Sequence, residues 1–198
     1  MEQDHLVHLA PLRDEHVARY LALSDDPTLI ATMGWEPFAQ DEDARFMTYV
    51  ESITVPYIKS GRTVAFSIMS REEEMPVGYL SLKGIRSDSP GAEVGLAIMN
   101  GDYRGRGLGT EALRKAAVYA FTKLELSLLA LTVFTDNVAA IRSYEKLGFT
   151  RTELLIDSWN LPDGTLADMW VMELYRRSSR LWCDPPPLGH DFLTQAQQ

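Results

Sequence analysis

YRGRGLGTEALRKAAVYAF, residues 103–121, is a glycine-spaced basic turn that runs straight into a long apolar stripe. Leu113, Ala116, Ala117, Ala120, Phe121 and Leu124 recur at helical spacing. Ahead of them Gly105, Gly107 and Gly109 alternate with Arg104, Arg106 and Leu108. Glycine reaches positive φ and lets a backbone come close to a ligand. Several N–H groups can then converge on one anion, and the helix start adds partial positive charge. Two arginines supply forked donors. The combination reads as a pyrophosphate cradle. The plainer reading is a surface helix start with ordinary arginines. The coincidence of three glycines, two arginines and a preceding strand favours the cradle.

Two familiar phosphate sites fit poorly. A P-loop needs GxxxxGK[ST], and no lysine follows these glycines at that place. A dinucleotide fold needs GxGxxG tight against its strand. Here the spacing is GxGxG, and NGDYR (100–104) intervenes.

Working outward, AEVGLAIMN (92–100) reads as the strand before the turn. LLALTVFT (128–135) is a continuous apolar run, expected for a central strand covered on both faces. DNVAAIRSYEKLGF (136–149) reads as a short helix with Asn137 as N-cap and Gly148 as its C-terminal glycine. FTRTELLIDSW and ADMWVMELYRR follow as two strands around NLPDG. Upstream, HLVHLAPL (5–12) is strand-like, and DEHVARYLALS starts a helix at Asp14. Residues 24–38 read as an irregular loop or a short helix. Residues 41–54 look helical, and Pro56 kinks or ends the run. TVAFSIMS (63–70) and VGYLSLKGI (77–85) alternate as strands around the charged turn REEEMP. The order is β–α–α–β–β–β–α–β–α–β–β.

The 198 residues carry 19 Lys and Arg against 28 Asp and Glu, a net charge of −9. A broad nucleic-acid surface does not fit that balance; the field suits an amine or another cation. The single cysteine, Cys183, allows no intrachain disulfide, and it has no His–Asp context that would make it a nucleophile. The four histidines show no metal spacing, so no metal is expected. There is no signal-like head and no apolar run of membrane-spanning length, so a cytoplasmic protein without a membrane partner is expected. REEE (71–74) reads as a solvated turn.

RGRGLG (104–109) resembles the R/Q-x-x-G-x-G/A signature of the GNAT superfamily of acyl-CoA-dependent N-acetyltransferases. EVGLAIMN resembles the strand leading into that signature. LTVFTDNVAAIRSYEKLGF (131–149) resembles a second hallmark, an Asn followed seven residues later by a Tyr. DGTLADMWVMEL (163–174) resembles the last hairpin of the ribosomal-protein N-terminal and spermidine acetyltransferase branch. The resemblance covers roughly residues 5–177. It implies an α+β fold (α/β mixed): a central, mostly antiparallel sheet of about six to seven strands, splayed between strands 4 and 5, with about four helices. Residues 1–177 form the expected domain, and 178–198 a proline-containing extension. Leu181, Trp182 and Phe192 in that extension suggest contact with a second subunit, and a homodimer is expected.

The implied reaction is acetyl transfer from acetyl-CoA, the co-substrate, to an amine. By similarity, Arg104, Gly105, Arg106, Gly107, Leu108, Gly109 and Thr110 hold the pyrophosphate. Ala97, Ile98 and Met99 pair with the pantetheine arm, and a free N–H there would bond the thioester oxygen. Asn137 would bond CoA or a water. Tyr144 is the candidate proton donor to the departing thiolate; its plainer role is a core aromatic. Glu93 is the candidate base, with Glu36, or no dedicated base, as alternatives. Trp35, Phe38 and Trp159 would wall the acceptor pocket, and Asp25, Asp26, Glu36 and Glu93 would attract a cation. A non-catalytic acyl-CoA-binding domain is the competing reading; it would have no use for Tyr144 as a donor.

Overall fold

The computed structural model describes residues 6–34 and 62–178. In chain order the elements are β1 (Val7–Pro11), α1 (Asp14–Leu23), α2 (Pro27–Met33), β2 (Arg62–Ser70), β3 (Met75–Ile85) and β4 (Gly91–Ile98). A 3-10 turn (Gly101–Tyr103) leads to α3 (Leu108–Thr122), β5 (Leu128–Phe134), α4 (Val138–Leu147), β6 (Thr150–Asn160), β7 (Leu166–Tyr175) and a last 3-10 turn, Arg176–Ser178. The expected helix over 41–54, the aromatics Trp35 and Phe38, Glu36, and the tail from 179 lie outside the described residues.

Among the described residues, seven strands form one sheet in the order β1-β2-β3-β4-β5-β7-β6. Every pair is antiparallel except β4 with β5. This is the expected α+β architecture. Segment 24–38, left open between loop and short helix, contains α2. Asp26 accepts N–H bonds from Thr28 and Leu29, Pro27 opens the helix, and Gly34 closes it at φ 62°. Those are local start and stop signals. β3 begins earlier than expected, at Met75. Its Pro76 faces Met69 beside a register shift, where a missing N–H is tolerated.

Alternation sorts the sheet into two faces. One packs under α3: Leu80, Leu82, Val94, Leu129, Leu131 and Val133 meet Ala112, Leu113, Ala116 and Phe121. Phe121 and Leu113 are essentially fully buried, and each such side chain contributes about 1.5–3 kcal/mol. The other face carries Tyr79, Ala97 and Met99 under Val17 and Tyr20 of α1 and Leu29 of α2. β5 departs from expectation: Thr132 is exposed, so its apolar run is covered fully on one face only.

His16 sits buried in α1, with Nδ1 2.6 Å from Ser67 Oγ. Burial lowers its pKa, as it does for His8 on β1, and outweighs the neighbouring carboxylates Glu15 and Glu74. A depressed folded-state pKa means that the folded protein disfavours the imidazolium. The stability is present above pH 6.5 and is lost as pH falls below it. Asp26, Asp88 and Asp163 are also depressed, but they act only below pH 4. The melting temperature should therefore drop between pH 6.5 and 5. His16→Asn should show a smaller drop over that window, measured by thermal scans at constant ionic strength.

Candidate active site

The site is built where one ladder stops. β4 pairs with β3 from Glu93 to Ile98, but with β5 only over Gly91–Glu93 against Leu128–Ala130. β5 stays with β7 along its whole length. Beyond Glu93 a wedge opens along one edge of β4, about 16 Å long at about 3.3 Å per residue.

The Met99 N–H donates to Val77 O at 2.9 Å. Backbone groups alternate sides along an antiparallel strand. Ala97 therefore faces β3 as Met99 does, and Leu96 and Ile98 turn toward the wedge. This corrects the expected trio Ala97, Ile98 and Met99: only Ile98 directs its N–H into the open space. Leu96, which the sequence did not single out, does the same. The alternation around Val77–Met99 is the signal that identifies it, and it needs the register.

At the wide end of the wedge lies the glycine turn. Gly105 and Gly107 have φ of 73° and 87°. Gly107 is the N-cap of α3, so no side chain caps this helix. The first helical bond runs from Glu111 N to Gly107 O, 3.1 Å. The N–H groups of Leu108, Gly109 and Thr110 thus have no acceptor within the helix. The Arg104 N–H is already committed to Gly101 O at 3.1 Å, so the converging donors begin at Gly105.

The two arginines divide. Arg104 donates through Nε to Ile98 O and through Nη2 to Met99 O, both 2.9 Å, and its Nη1 lies 2.9 Å from Asp26 Oδ2. Its guanidinium is scaffold, and only its backbone borders the cradle. Arg106 lies 2.7 Å from Glu72 and 5.1 Å above the Tyr103 ring, in an exposed pair. Exposed pairs contribute about 0–1 kcal/mol, so this guanidinium is readily redirected. The expectation of two forked donors is corrected to one.

Glu111, inside the apolar stripe of α3, also escaped the sequence reading. It is 5% exposed and accepts from the N–H groups of Leu6 (3.2 Å) and Val7 (3.4 Å), with Lys115 Nζ 3.2 Å away. It ties the start of β1 to the cradle helix.

Tyr144 and Asn137 sit on α4 as expected. Asn137 Oδ1 accepts the Ala140 N–H at 3.1 Å, so its oxygen caps the helix and its NH2 is the group available to a ligand. The Tyr144 ring packs 6.0 Å from Phe149. Burial alone pushes its hydroxyl up to about 12, so it is a protonated phenol throughout the neutral range.

On the opposite face Glu93 is exposed at the vertex of the wedge, with Lys83 across the strand. Burial lowers the Lys83 pKa despite the pull of Glu93. For Asp26 burial favours a higher pKa, but bonds from Thr28 and Arg104 outweigh it and hold the carboxylate ionised. Expected as a cation attractor, Asp26 is committed to Arg104. Trp159 comes from the far hairpin. Its Nε1 donates to Gly34 O at 2.8 Å, and its ring meets Phe134 edge-on at 6.2 Å. Among the described residues no cluster of His, Cys, Asp and Glu could hold a metal, and no helix is long and apolar enough to cross a membrane.

The split parallel ladder ends at an uncapped, glycine-rich helix start, an arrangement suited to an extended ligand that carries an anion. The acetyltransferase (GNAT) domain family matches residues 7–150, and the chain belongs to it. It is an N-acetyltransferase by that membership. The uncharacterized N-acetyltransferase p20 of Bacillus licheniformis is 28% identical over 152 residues, 77% of this chain and 83% of the relative. Spermidine N(1)-acetyltransferase of Escherichia coli strain K12 is 45% identical, but over 53 residues, 27% of this chain and 28% of that one. The solved spermidine N-acetyltransferase of Vibrio cholerae, in complex with CoA and spermine, shares the fold with TM-score 0.73 and 19% identity. That match covers 87% of this chain and 97% of the other.

Gly107→Val tests the cradle. The nearest atom to an added Cβ is Leu6 Cδ1 at 3.7 Å, so nothing clashes, and the cost is the positive φ, about 1–2 kcal/mol. The variant should fold, by circular dichroism, and lose calorimetric binding of acetyl-CoA. Unchanged affinity in the folded variant would refute the cradle.

Proposed function

We propose that this chain transfers the acetyl group of acetyl-CoA to a primary amine by direct attack through a tetrahedral intermediate. The acceptor classes are a protein N-terminus, a polyamine or a small amine. The observation that carries this reading is the open edge of β4 ending at the uncapped start of α3. An extended arm can pair along that edge while its pyrophosphate meets the N–H groups of Gly105 to Thr110 and the Arg106 guanidinium.

The thioester then lies toward the vertex of the wedge, between two faces of opposite character. Its oxygen gains charge as the amine attacks, and an inward N–H of Leu96 or Ile98 stabilises it. Much of the acceleration comes from holding the two reactants together. The amine approaches from the face that carries Glu93. An alkyl ammonium with a pKa near 10 must lose its proton first. Glu93 is the candidate acceptor of that proton, through water, with Lys83 holding the local charge balance. When the C–S bond breaks, Tyr144 donates its proton to the sulfur, and the second proton shed by the nitrogen as the adduct becomes the amide returns to the phenolate through water.

Free-thiol release, measured over polyamines, aminoglycosides, amino-acid amides and N-terminal peptides, tests the reading. At least one amine should give saturable release, and release with none would overturn it. Tyr144→Phe keeps the ring and its packing against Phe149 and removes only the hydroxyl. The turnover number should fall by roughly 10²-fold with acetyl-CoA affinity unchanged. The loss should shrink with a thioester of a more acidic thiol. Wild-type turnover where chemistry limits the rate would leave Tyr144 as packing.

A further inference from the structure

α2 lies across the mouth of the wedge and is fastened at both ends. At its start Asp26 caps the helix through the Thr28 and Leu29 N–H groups and also pairs with Arg104 at 2.9 Å. Arg104 in turn holds the carbonyl of Ile98, the last residue of β4, and that of Met99 just after it. At its end the Gly34 carbonyl accepts the Trp159 indole N–H at 2.8 Å. Gly34 also lies against Phe134, the last residue of β5: a Cβ added there would sit 2.5 Å from Phe134 Cζ and 2.8 Å from Trp159 Nε1. The two ends of this helix therefore meet the tips of the two strands that have parted. In the middle Leu29 packs into the cluster with Tyr79, Ala97 and Met99. Paired strands stand about 4.8 Å apart, and seven helical residues run about 10 Å. A strap of this length fits tips that have roughly doubled their separation.

We propose that α2 is a strap that couples the cofactor cradle to the amine side of the site, with Asp26 and Trp159 as its two positioning residues. This rests on the transferase reading for what the site does, but the coupling itself is a property of the strap. Arg104 follows immediately after the 3-10 turn and leads into the glycine loop. Any adjustment of that loop to a bound pyrophosphate moves the guanidinium, and with it Asp26. The short helix carries the shift to Gly34, where contact with Phe134 and Trp159 leaves no slack to absorb it. The β5–β7 ladder ends at Phe134 and Met169, so the indole N–H sets the position of the hairpin tip beyond it, where Trp159 lies opposite Ala167. The tip in turn bounds the entrance through which an amine reaches the Glu93 face. Filling the cradle thus sets the amine side, and by linkage a bound amine tightens acetyl-CoA by the same factor.

Two measurements test this, and they separate its failure from that of the transferase reading. The first needs no turnover. The Trp159 indole N–H resonance, assigned by its absence in Trp159→Phe, should shift when acetyl-CoA is added to the wild-type protein and stay in place in Asp26→Asn. No shift in wild type, or the same shift in Asp26→Asn at saturating acetyl-CoA, overturns the strap. The second uses the best amine from the panel. Trp159→Phe keeps an aromatic ring on Phe134 and removes only the donor. The amine KM should rise about tenfold while acetyl-CoA affinity by calorimetry stays within twofold. Asp26→Asn should weaken both substrates. A folded Trp159→Phe with the wild-type amine KM overturns the proposal. If no amine turns over while the resonance still shifts, the transferase reading fails and the coupling stands.

Discussion

The rest of the molecule depends on the point at which β4 and β5 stop bonding to each other. The parallel ladder spans Gly91–Glu93 and Leu128–Ala130 and no more. Each strand keeps its other neighbour, so the parting costs only one set of bonds and no unfolding. A strand edge exposed inside a sheet rather than at its rim is unusual, because unpaired N–H and C=O groups invite another chain. Here the invitation is confined to a slot with α3 on one face and α1 and α2 on the other. A ligand with amides of its own meets that need better than water does.

Arg104 shows how the opening is kept from closing or spreading. A guanidinium has five N–H donors in a rigid fork. In this chain they hold two carbonyls at the end of β4 and one capping carboxylate. A lysine has the charge but no fixed plane and could not hold three partners at set angles. The first residue of the glycine signature therefore stabilises the end of β4, and the backbone after it is left to bind the anion. The net charge of −9 gives no hint of this, since what matters at the cradle is local dipoles and one redirectable arginine.

What was legible in the sequence is what is local. The caps at Asn137 and Gly148, the stripe of α3 and the glycine turn depend on residues within a few positions of one another, and each took its expected place. The DP…G punctuation of α2 was equally local; reading it as a helix start and stop would have settled the loop-or-helix choice. The bond from Trp159 to Gly34 joins residues 125 apart, and the bonds from Leu6 and Val7 to Glu111 span about as far. No periodicity announces such pairs. The sequence assigned Asp26 to the substrate and Arg104 to the phosphate because each looked free. Folding joined them to each other. The choice between Ala97, Ile98 and Met99 was beyond the sequence for a related reason. It depends on which strand partner each N–H faces, and a shift of one residue reverses it.

The proposed chemistry depends on the proton affinities of three groups, and one physical cause, the loss of water, acts on all three. Tyr144 is pushed up to about 12 by burial alone. That makes it a weaker acid but keeps the donor protonated at any neutral pH. The thiolate it must protonate has an ordinary pKa of about 8.5, which in water would leave the transfer uphill by several units. A thiolate released into apolar surroundings is itself more basic than in water, so the gap narrows where the bond breaks. The incoming amine responds in the opposite sense. Removing water disfavours its ammonium form, and burial lowers the pKa of Lys83 on the amine-facing side of the sheet in the same way. An amine that enters the slot surrenders its proton more readily than in bulk water. The less water the wedge admits, the more basic the leaving thiolate and the more readily the amine gives up its proton, and these two gains offset the weaker acidity of the buried phenol.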